Sequence, residues 1–477
     1  MQGYEAYRRE RIDYWNRLAS HPRRLKRLAN YYHRLLQHQF RLVVPPGSRV
    51  LELGSGEGDL LNALAPGFGV GIDYSVHMVQ RAKTKYKHLH FVQSDAHQLP
   101  LDTKFDYVIL SDLLNDVWDV QAVLEQIGRL SQRHTRILIN AYSKFWQFPL
   151  GLAQRLTRGV PNLEQNWLTV EDMQNILRLA DLGSVRHDVA ILLPVNIPLL
   201  SGLANRFLVR IWPFNFFALT NFLIARPFVK APREVNKEAV PKVSVIIPAR
   251  NEEGNIASIF QRVPELGKET ELIFVEGHSR DGTYQEIRRQ IERQARTARL
   301  LKQAGVGKAD AVWQGFKIAS GDILMILDAD LSVPPEDLSR FYAALTTGKA
   351  DFANGVRLVY PMEEGAMRPL NLLGNKFFSL AFSWLLGQPI KDTLCGTKGL
   401  WRRDYEVLRK HWQHFGKSDP FGDFDLLFGA SKLGLKIRDL PIRYRERTYG
   451  STNIDRWRHG WLLLRMVFNA ARWLKFV

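Results

Sequence analysis

Short apolar runs alternate with longer amphipathic stretches over most of this 477-residue chain, and the pattern starts twice. Residues 1–49 look helical, rich in Arg, Tyr and Leu, and end at Pro45-Pro46-Gly47. From Val50 the runs VLEL, VGID, HFV, YVIL and RILIN recur between helical stretches. That is the βαβ rhythm of a parallel sheet covered by helices. The rhythm weakens after Asp188 and passes into a proline-interrupted apolar region that reaches Pro227. Residues 229–241 (VKAPREVNKEAVP) are charged, hold two prolines and have the composition of a linker. A second alternating block then begins with VSVIIPA, ELIFVEG and ILMILDA. The expected class is α/β in two domains, residues 1–228 and 242–477, the second closing on an amphipathic helix.

Composition narrows the picture. Hydrophobic content of 45% and charged content of 24% are ordinary for a globular chain. The lone Cys395 excludes an internal disulfide scaffold and suits a reducing cytosol. The first residues lack the apolar core of a signal peptide. A net charge of +18 fits anionic lipid, a phosphorylated substrate or nucleic acid, or else simple solubility. No stretch reaches the roughly 20 apolar residues of a membrane span. IWPFNFFALTNFLIA, between Arg210 and Arg226, is too short and reads as buried core. LNLLGNKFFSLAFSWLLG and the final GWLLLRMVFNAARWLKFV are apolar, aromatic and basic, which suits helices lying at a membrane interface. Packing against their own domain is the plain alternative.

The first candidate site follows the first apolar run. VLELGSGEG places Gly54, Gly56 and Gly58 after a strand and before a helix start, where glycines allow a tight turn and close approach to a ligand. Asp73 lies about 20 residues on, at the end of the next strand, where a carboxylate can bind ribose hydroxyls. Asp95 follows a third strand and can accept from an adenine amino group. The spacing is G-x-G-x-G and Glu52 precedes it, unlike a dinucleotide site. From about Val50 to Asn140 this resembles the Rossmann-like class I S-adenosylmethionine-dependent methyltransferases. The resemblance implies that Glu52, Gly54 and Gly56 line the methionine end, Asp73 the ribose, and Asp95 with Ala96 the adenine. Asp112 and Asn115 sit where the YVIL strand should end and read as helix caps or as a base for the methyl acceptor.

The second candidate site centres on ILMILDADLSVPPEDL. Asp328 and Asp330 end an apolar strand, and side chains two apart on a strand share a face. Such a pair suits Mg²⁺ or Mn²⁺ bridging to a pyrophosphate. Upstream, VSVIIPARNEEGNI and ELIFVEGHSRDGT end strands in polar loops. Residues 242–455 thus resemble family-2 glycosyltransferases of GT-A fold, of the dolichol- or polyprenyl-phosphate sugar transferase type. By that resemblance Pro248, Arg250 and Glu252 border the nucleotide, Glu276 meets the base and Asp281 supports the loop. Asp328 and Asp330 hold the metal, and Arg357, Lys398 and Arg447 handle phosphate. Asp423 matches a catalytic base in members that glycosylate hydroxyls. Glu276 replaces the usual Asp, and Ser332 stands where a Gln is common, leaving more of the metal shell to water.

The implied partners are a nucleotide-sugar, a polyprenyl phosphate or a glycan, and an anionic membrane at its cytoplasmic face. A rival reading makes the basic, aromatic N-terminal arm an RNA contact. Against it, no RNA-binding module is recognisable and a sugar transferase is an odd partner.

Overall fold

The computed structural model describes residues 2–20, 26–156, 163, 165–228, 240–357, 369–411, 422–442, 444–445, 449 and 456–476. The chain forms two compact units, Met1–Phe228 with Lys475–Val477, and Val229–Leu474.

In the first unit, seven strands form one sheet: β1 (Arg49–Leu53), β2 (Phe68–Asp73), β3 (His90–Gln93), β4 (Tyr107–Ser111), β5 (Arg136–Tyr142), β6 (Leu182–Ala190) and β7 (Thr220–Pro227). Their order is β3-β2-β1-β4-β5-β7-β6. β1 to β5 are parallel, and β7 runs antiparallel to both β5 and β6. Val108, Ile109, Leu110, Ile137, Leu138 and Ile139 are fully buried, as expected where helices cover both faces. The chain runs outward from β1 to β3, then returns to β4 and runs the other way. That reversal leaves a crevice at the carboxyl ends of β1 and β4, the place where open α/β sheets bind ligands. Helices α1 (Gln2–Ser20) and α2 (Lys26–Arg41) precede the sheet.

The apolar region before Pro227 departs from expectation. Only its second half is core: β7 is buried from Thr220 to Arg226, whereas Ile211, Trp212, Phe214, Phe216 and Phe217 are exposed. The strand is buried on both faces and lacks alternation, so a continuous apolar run hid the boundary.

The second unit carries β8 (Val243–Ala249), β9 (Thr270–Glu276), β10 (Ala298–Lys302), β11 (Ile323–Ile326), β12 (Phe352–Val356), β13 (Lys398–Trp401) and β14 (Ile437–Pro441). The order is β10-β9-β8-β11-β13-β12-β14. The first four are parallel, and β13 is antiparallel to β11 and β12. The loops after β8, β9 and β11 therefore gather at one edge. Among the described residues no helix is long and apolar enough to cross a membrane.

Candidate active sites

In the first unit the glycine turn after β1 is built for a ligand. Gly54, Gly56 and Gly58 all have left-handed backbones, with φ of 71°, 51° and 80°. A side chain at 56 would meet nothing within 4 Å, so the turn is open there. Asp73 ties the turn to β2: its carboxylate accepts from the Gly56 N–H at 2.9 Å and the Ser75 N–H at 2.8 Å. Burial raises its pKa despite both bonds. Glu52 is buried, its pKa is raised by desolvation, and its Oε2 has no partner. A buried lone acceptor beside an open glycine turn fits the cationic methionine end of S-adenosylmethionine. Asp95 accepts from Tyr4 Oη at 2.6 Å and pairs with His97 Nδ1 at 2.6 Å. Burial opposes its charge, but those bonds outweigh it and bring the carboxyl down to about 2. Ala96 is buried beside it.

Two features escaped the sequence. One is that α1 lies across this edge of the sheet. Tyr4 reaches Asp95, the Tyr7 hydroxyl donates to the Asp116 carbonyl at 3.0 Å, and Arg11 and Trp15 hold the Asp116 carboxylate at 3.1 and 2.9 Å. Tyr4, Tyr7, Arg11 and Trp15 of the N-terminal arm are thus engaged within the unit, while Arg8 and Arg9 of the same helix are exposed. The other is the setting of Asp112. It follows β4 directly, in a left-handed conformation of φ 55° that non-glycine residues seldom adopt. Tyr32 Oη donates to its carboxylate at 2.9 and 3.0 Å, and Asn140 Nδ2 at 2.5 Å. Desolvation pushes the Asp112 carboxyl up to about 7 against both bonds. Tyr142 and Trp167 add aromatic walls, with rings 6.2 Å from Tyr32 and 6.3 Å from Tyr142 respectively. Asn115 does other work: it accepts from the Tyr142 N–H and donates to the Asn166 carbonyl.

In the second unit Asp328 and Asp330 lie beyond the last residue of β11, in a turn where Leu331 has φ 53°. Turn geometry, not strand alternation, directs them. Asp330 Oδ1 accepts from the Ser332 N–H at 3.0 Å and Oγ at 2.7 Å, so Ser332 orients this carboxylate. Asp328 Oδ1 is 2.6 Å from Lys308 Nζ, at the head of the helix Lys308–Ile318. The same ammonium is 3.8 Å from Asp423 Oδ2. Burial opposes the Lys308 charge, yet the two carboxylates hold its pKa well above normal. Asp423 is buried, its pKa is raised by desolvation, and its Oδ1 has no partner. Lys308 was missed; the glycine before it, at a helix start in AGVGKAD, was the available signal.

The remaining candidate residues of this unit divide. Glu276 ends β9, buried, and accepts from the Ser279 N–H at 2.5 Å. Arg250 is exposed and Pro248 half-buried at the end of β8. Glu252 accepts from Asn255, and Asp281 accepts from Thr283 and the Glu253 N–H, so both order their own loops. Arg357 is held in a two-point pair with Asp392 at 2.7 and 2.9 Å. Lys398 is fully buried and donates to Asn354 Oδ1 and the Cys395 carbonyl. Both anchor the loop Asp392–Thr397, and both act on Asp423, whose carboxyl is raised by burial and lowered by Lys308, Lys398 and Arg357. Within that loop a side chain at Gly396 would collide with Lys308 Nζ and the Asp328 carboxylate. Arg447 lies outside the described residues.

Among the described residues no three His, Cys, Asp or Glu converge closely enough to hold a metal ion alone. Two carboxylates and a partnerless Asp423 oxygen fit a cation that brings other ligands with it, as Mg²⁺ or Mn²⁺ does on a pyrophosphate.

Residues 244–424 match the model of glycosyl transferase family 2, and residues 45–181 match a methyltransferase domain model. Glycosyltransferase AglJ of Haloferax volcanii is 30% identical over 234 residues, which cover 48% of this chain and 72% of that one. A dolichol-phosphate mannosyltransferase of Pyrococcus furiosus is 36% identical over 121 residues, 25% of this chain but only 34% of that relative. The solved structure of an S-adenosylmethionine-dependent methyltransferase from Thermotoga maritima is 16% identical, covering 45% of this chain and 98% of that one, at a TM-score of 0.35.

Proposed function

Since the chain belongs to glycosyl transferase family 2 and carries a methyltransferase domain ahead of that region, we propose that it moves a sugar from a nucleotide-sugar to a polyprenyl phosphate and a methyl group to a second acceptor. The observation that carries the sugar half is the cluster Asp328, Asp330, Lys308 and Asp423 at the edge where the loops after β8, β9 and β11 meet. Mg²⁺ or Mn²⁺ on Asp328 and Asp330 supplies positive charge for the departing nucleoside diphosphate. A phosphate acceptor is already ionised at neutral pH, so this chain's task is to position it. The acceptor is lipid-borne in this reading, met by the helices Pro369–Leu386 and Arg456–Leu474, where Phe377, Leu380, Trp461 and Phe468 are exposed. The test is a donor screen with purified protein, polyprenyl phosphate and Mn²⁺ or Mg²⁺, with excess EDTA as control.

Asp423 supports a second reading. Its partnerless oxygen and raised pKa suit a base for a hydroxyl acceptor on a glycan or glycolipid. Asp423→Asn distinguishes the two: a modest loss keeps the phosphate, and abolished transfer with intact donor binding favours the hydroxyl.

In the methyl half, Glu52, the glycine turn, Asp73 and Asp95 hold S-adenosylmethionine, which supplies an electrophilic methyl group. Asp112 stands at the β1–β4 crevice with a carboxyl near neutrality and takes the proton from the acceptor. Tyr32 and Asn140 orient it. Calorimetry with S-adenosylhomocysteine tests the cofactor assignment, and absence of binding by the intact protein overturns it.

A further inference from the structure

One large feature of the first unit is used by neither site. Phe148 (88% exposed), Leu199 (92%), Trp212 (74%) and Phe216 (64%) project into solvent, with Leu152, Leu203, Phe207 and Ile211 also exposed around them. They come from two segments that touch. Phe145 packs edge-on against Phe217 at 5.3 Å, and the Trp146 indole N–H donates to the Phe217 carbonyl at 3.0 Å. Leu199, the most exposed of them, sits in a left-handed backbone of φ 63°, a conformation unfavourable for leucine. Soluble surfaces seldom leave so many large apolar side chains together without a partner.

The charge pattern says which partner. No Asp or Glu occurs between Glu125 and Glu164, or between Asp188 and Glu234. Lys144 and Arg206 stand exposed among the aromatic residues. Asp172, in the first turn of the helix Val170–Leu179, lies within electrostatic reach of Lys144; a second copy of the chain would still bring two basic segments together, which repel. An anionic lipid surface satisfies both parts: rings enter the interfacial layer and the basic side chains meet head groups.

We infer that this face, residues 144–152 with 197–217, seats the methyltransferase unit on an anionic bilayer. The face begins just past Tyr142, the last residue of β5, whose ring lies beside Tyr32 and Asp112. Docking there turns the methyl-transfer edge of the sheet toward lipid, so the methyl acceptor is presented from the membrane. That consequence rests on the methyltransferase reading of the unit. The docking itself does not, and S-adenosylhomocysteine binding fails or succeeds independently of it.

The test uses the full chain with an environment-sensitive fluorophore on Phe148→Cys or on Phe216→Cys, Cys395 being buried. Vesicles of phosphatidylcholine with phosphatidylglycerol should brighten and blue-shift either label, less so at high salt. A label on Gln132→Cys, exposed just before β5 at the opposite edge of the sheet, should not respond. Two labels that ignore the vesicles, even when the protein floats with them, overturn the assignment. Labels already shielded in vesicle-free protein that scatters light as a dimer also overturn it, in favour of self-association.

Discussion

The two candidate sites differ in how they restrain their central carboxylates, Asp112 and Asp328. In the first unit the partners are mostly neutral: backbone N–H groups for Asp73, a phenol and an amide for Asp112. Neutral donors soften burial without cancelling it, so Glu52, Asp73 and Asp112 all have raised pKa values. In the second unit Asp328 has a full cation, Lys308, at 2.6 Å. The difference follows the ligand each site is expected to take. Neutrally held carboxylates remain free to bind hydroxyls or accept a proton. A carboxylate with a resident ammonium is ready for charge exchange, because an arriving divalent cation must displace or share it. Asp95, brought down to about 2 by His97 and Tyr4, departs from the other three carboxylates of the first site.

The contrast can be broken by substitution. The largest effect is expected for Asp330→Asn, which should lower sugar transfer about 10³-fold at saturating donor if charge stabilisation of the leaving group runs through this carboxylate. Full activity of the wild type in excess EDTA would remove the metal role. Asp112→Asn should lower methyl transfer about 10²-fold while leaving S-adenosylhomocysteine affinity nearly unchanged. In the wild type this carboxyl, pushed up to about 7, must be ionised to act. Methyl transfer should therefore be full above that pH and fall about tenfold per unit below it. A flat profile through neutrality argues for another base. Asp73→Ala should weaken S-adenosylmethionine binding by about 10- to 100-fold, read by calorimetry, through loss of charge-assisted bonds. Lys308→Met should raise the affinity for Mn²⁺ alone by about tenfold, because Asp328 loses its resident cation. Unchanged Mn²⁺ binding, followed by paramagnetic resonance, counts against the displacement idea. The smallest effect belongs to Tyr32→Phe. Its hydroxyl favours the ionised form of Asp112, so its loss should move the acid limb of methyl transfer upward by less than about one pH unit.

Much of this was legible before folding. The two restarts of apolar alternation located both sheets, and Gly54, Gly56, Asp73 and Asp95 stand where their order placed them, at successive strand ends. Parallel strands make that inference sound, since every strand end falls on the same edge. Arg357 and Lys398 show what the sequence leaves open. A basic residue near a phosphate motif looks the same in sequence whether it faces a ligand or a buried partner, and here Asp392 and Asn354 take them. β7 was lost for a related reason, because a strand buried on both faces has no alternation to read.

What the chain determined by itself is therefore local and periodic: which segments become strands, where the glycine turn falls, and which acids end strands. Only the tertiary structure decided which charges meet. Tyr32 and Asp112 are 80 residues apart, and α1 reaches Asp95 across 91. Lys308 comes to Asp328 from the start of another helix, and Phe148 with Phe216 becomes a surface only when the segment after β5 packs beside the one before β7. Burial, ion pairing and surface patches are properties of distance in space, and one-dimensional spacing carries no measure of that distance beyond a turn of helix or a pair of strand residues.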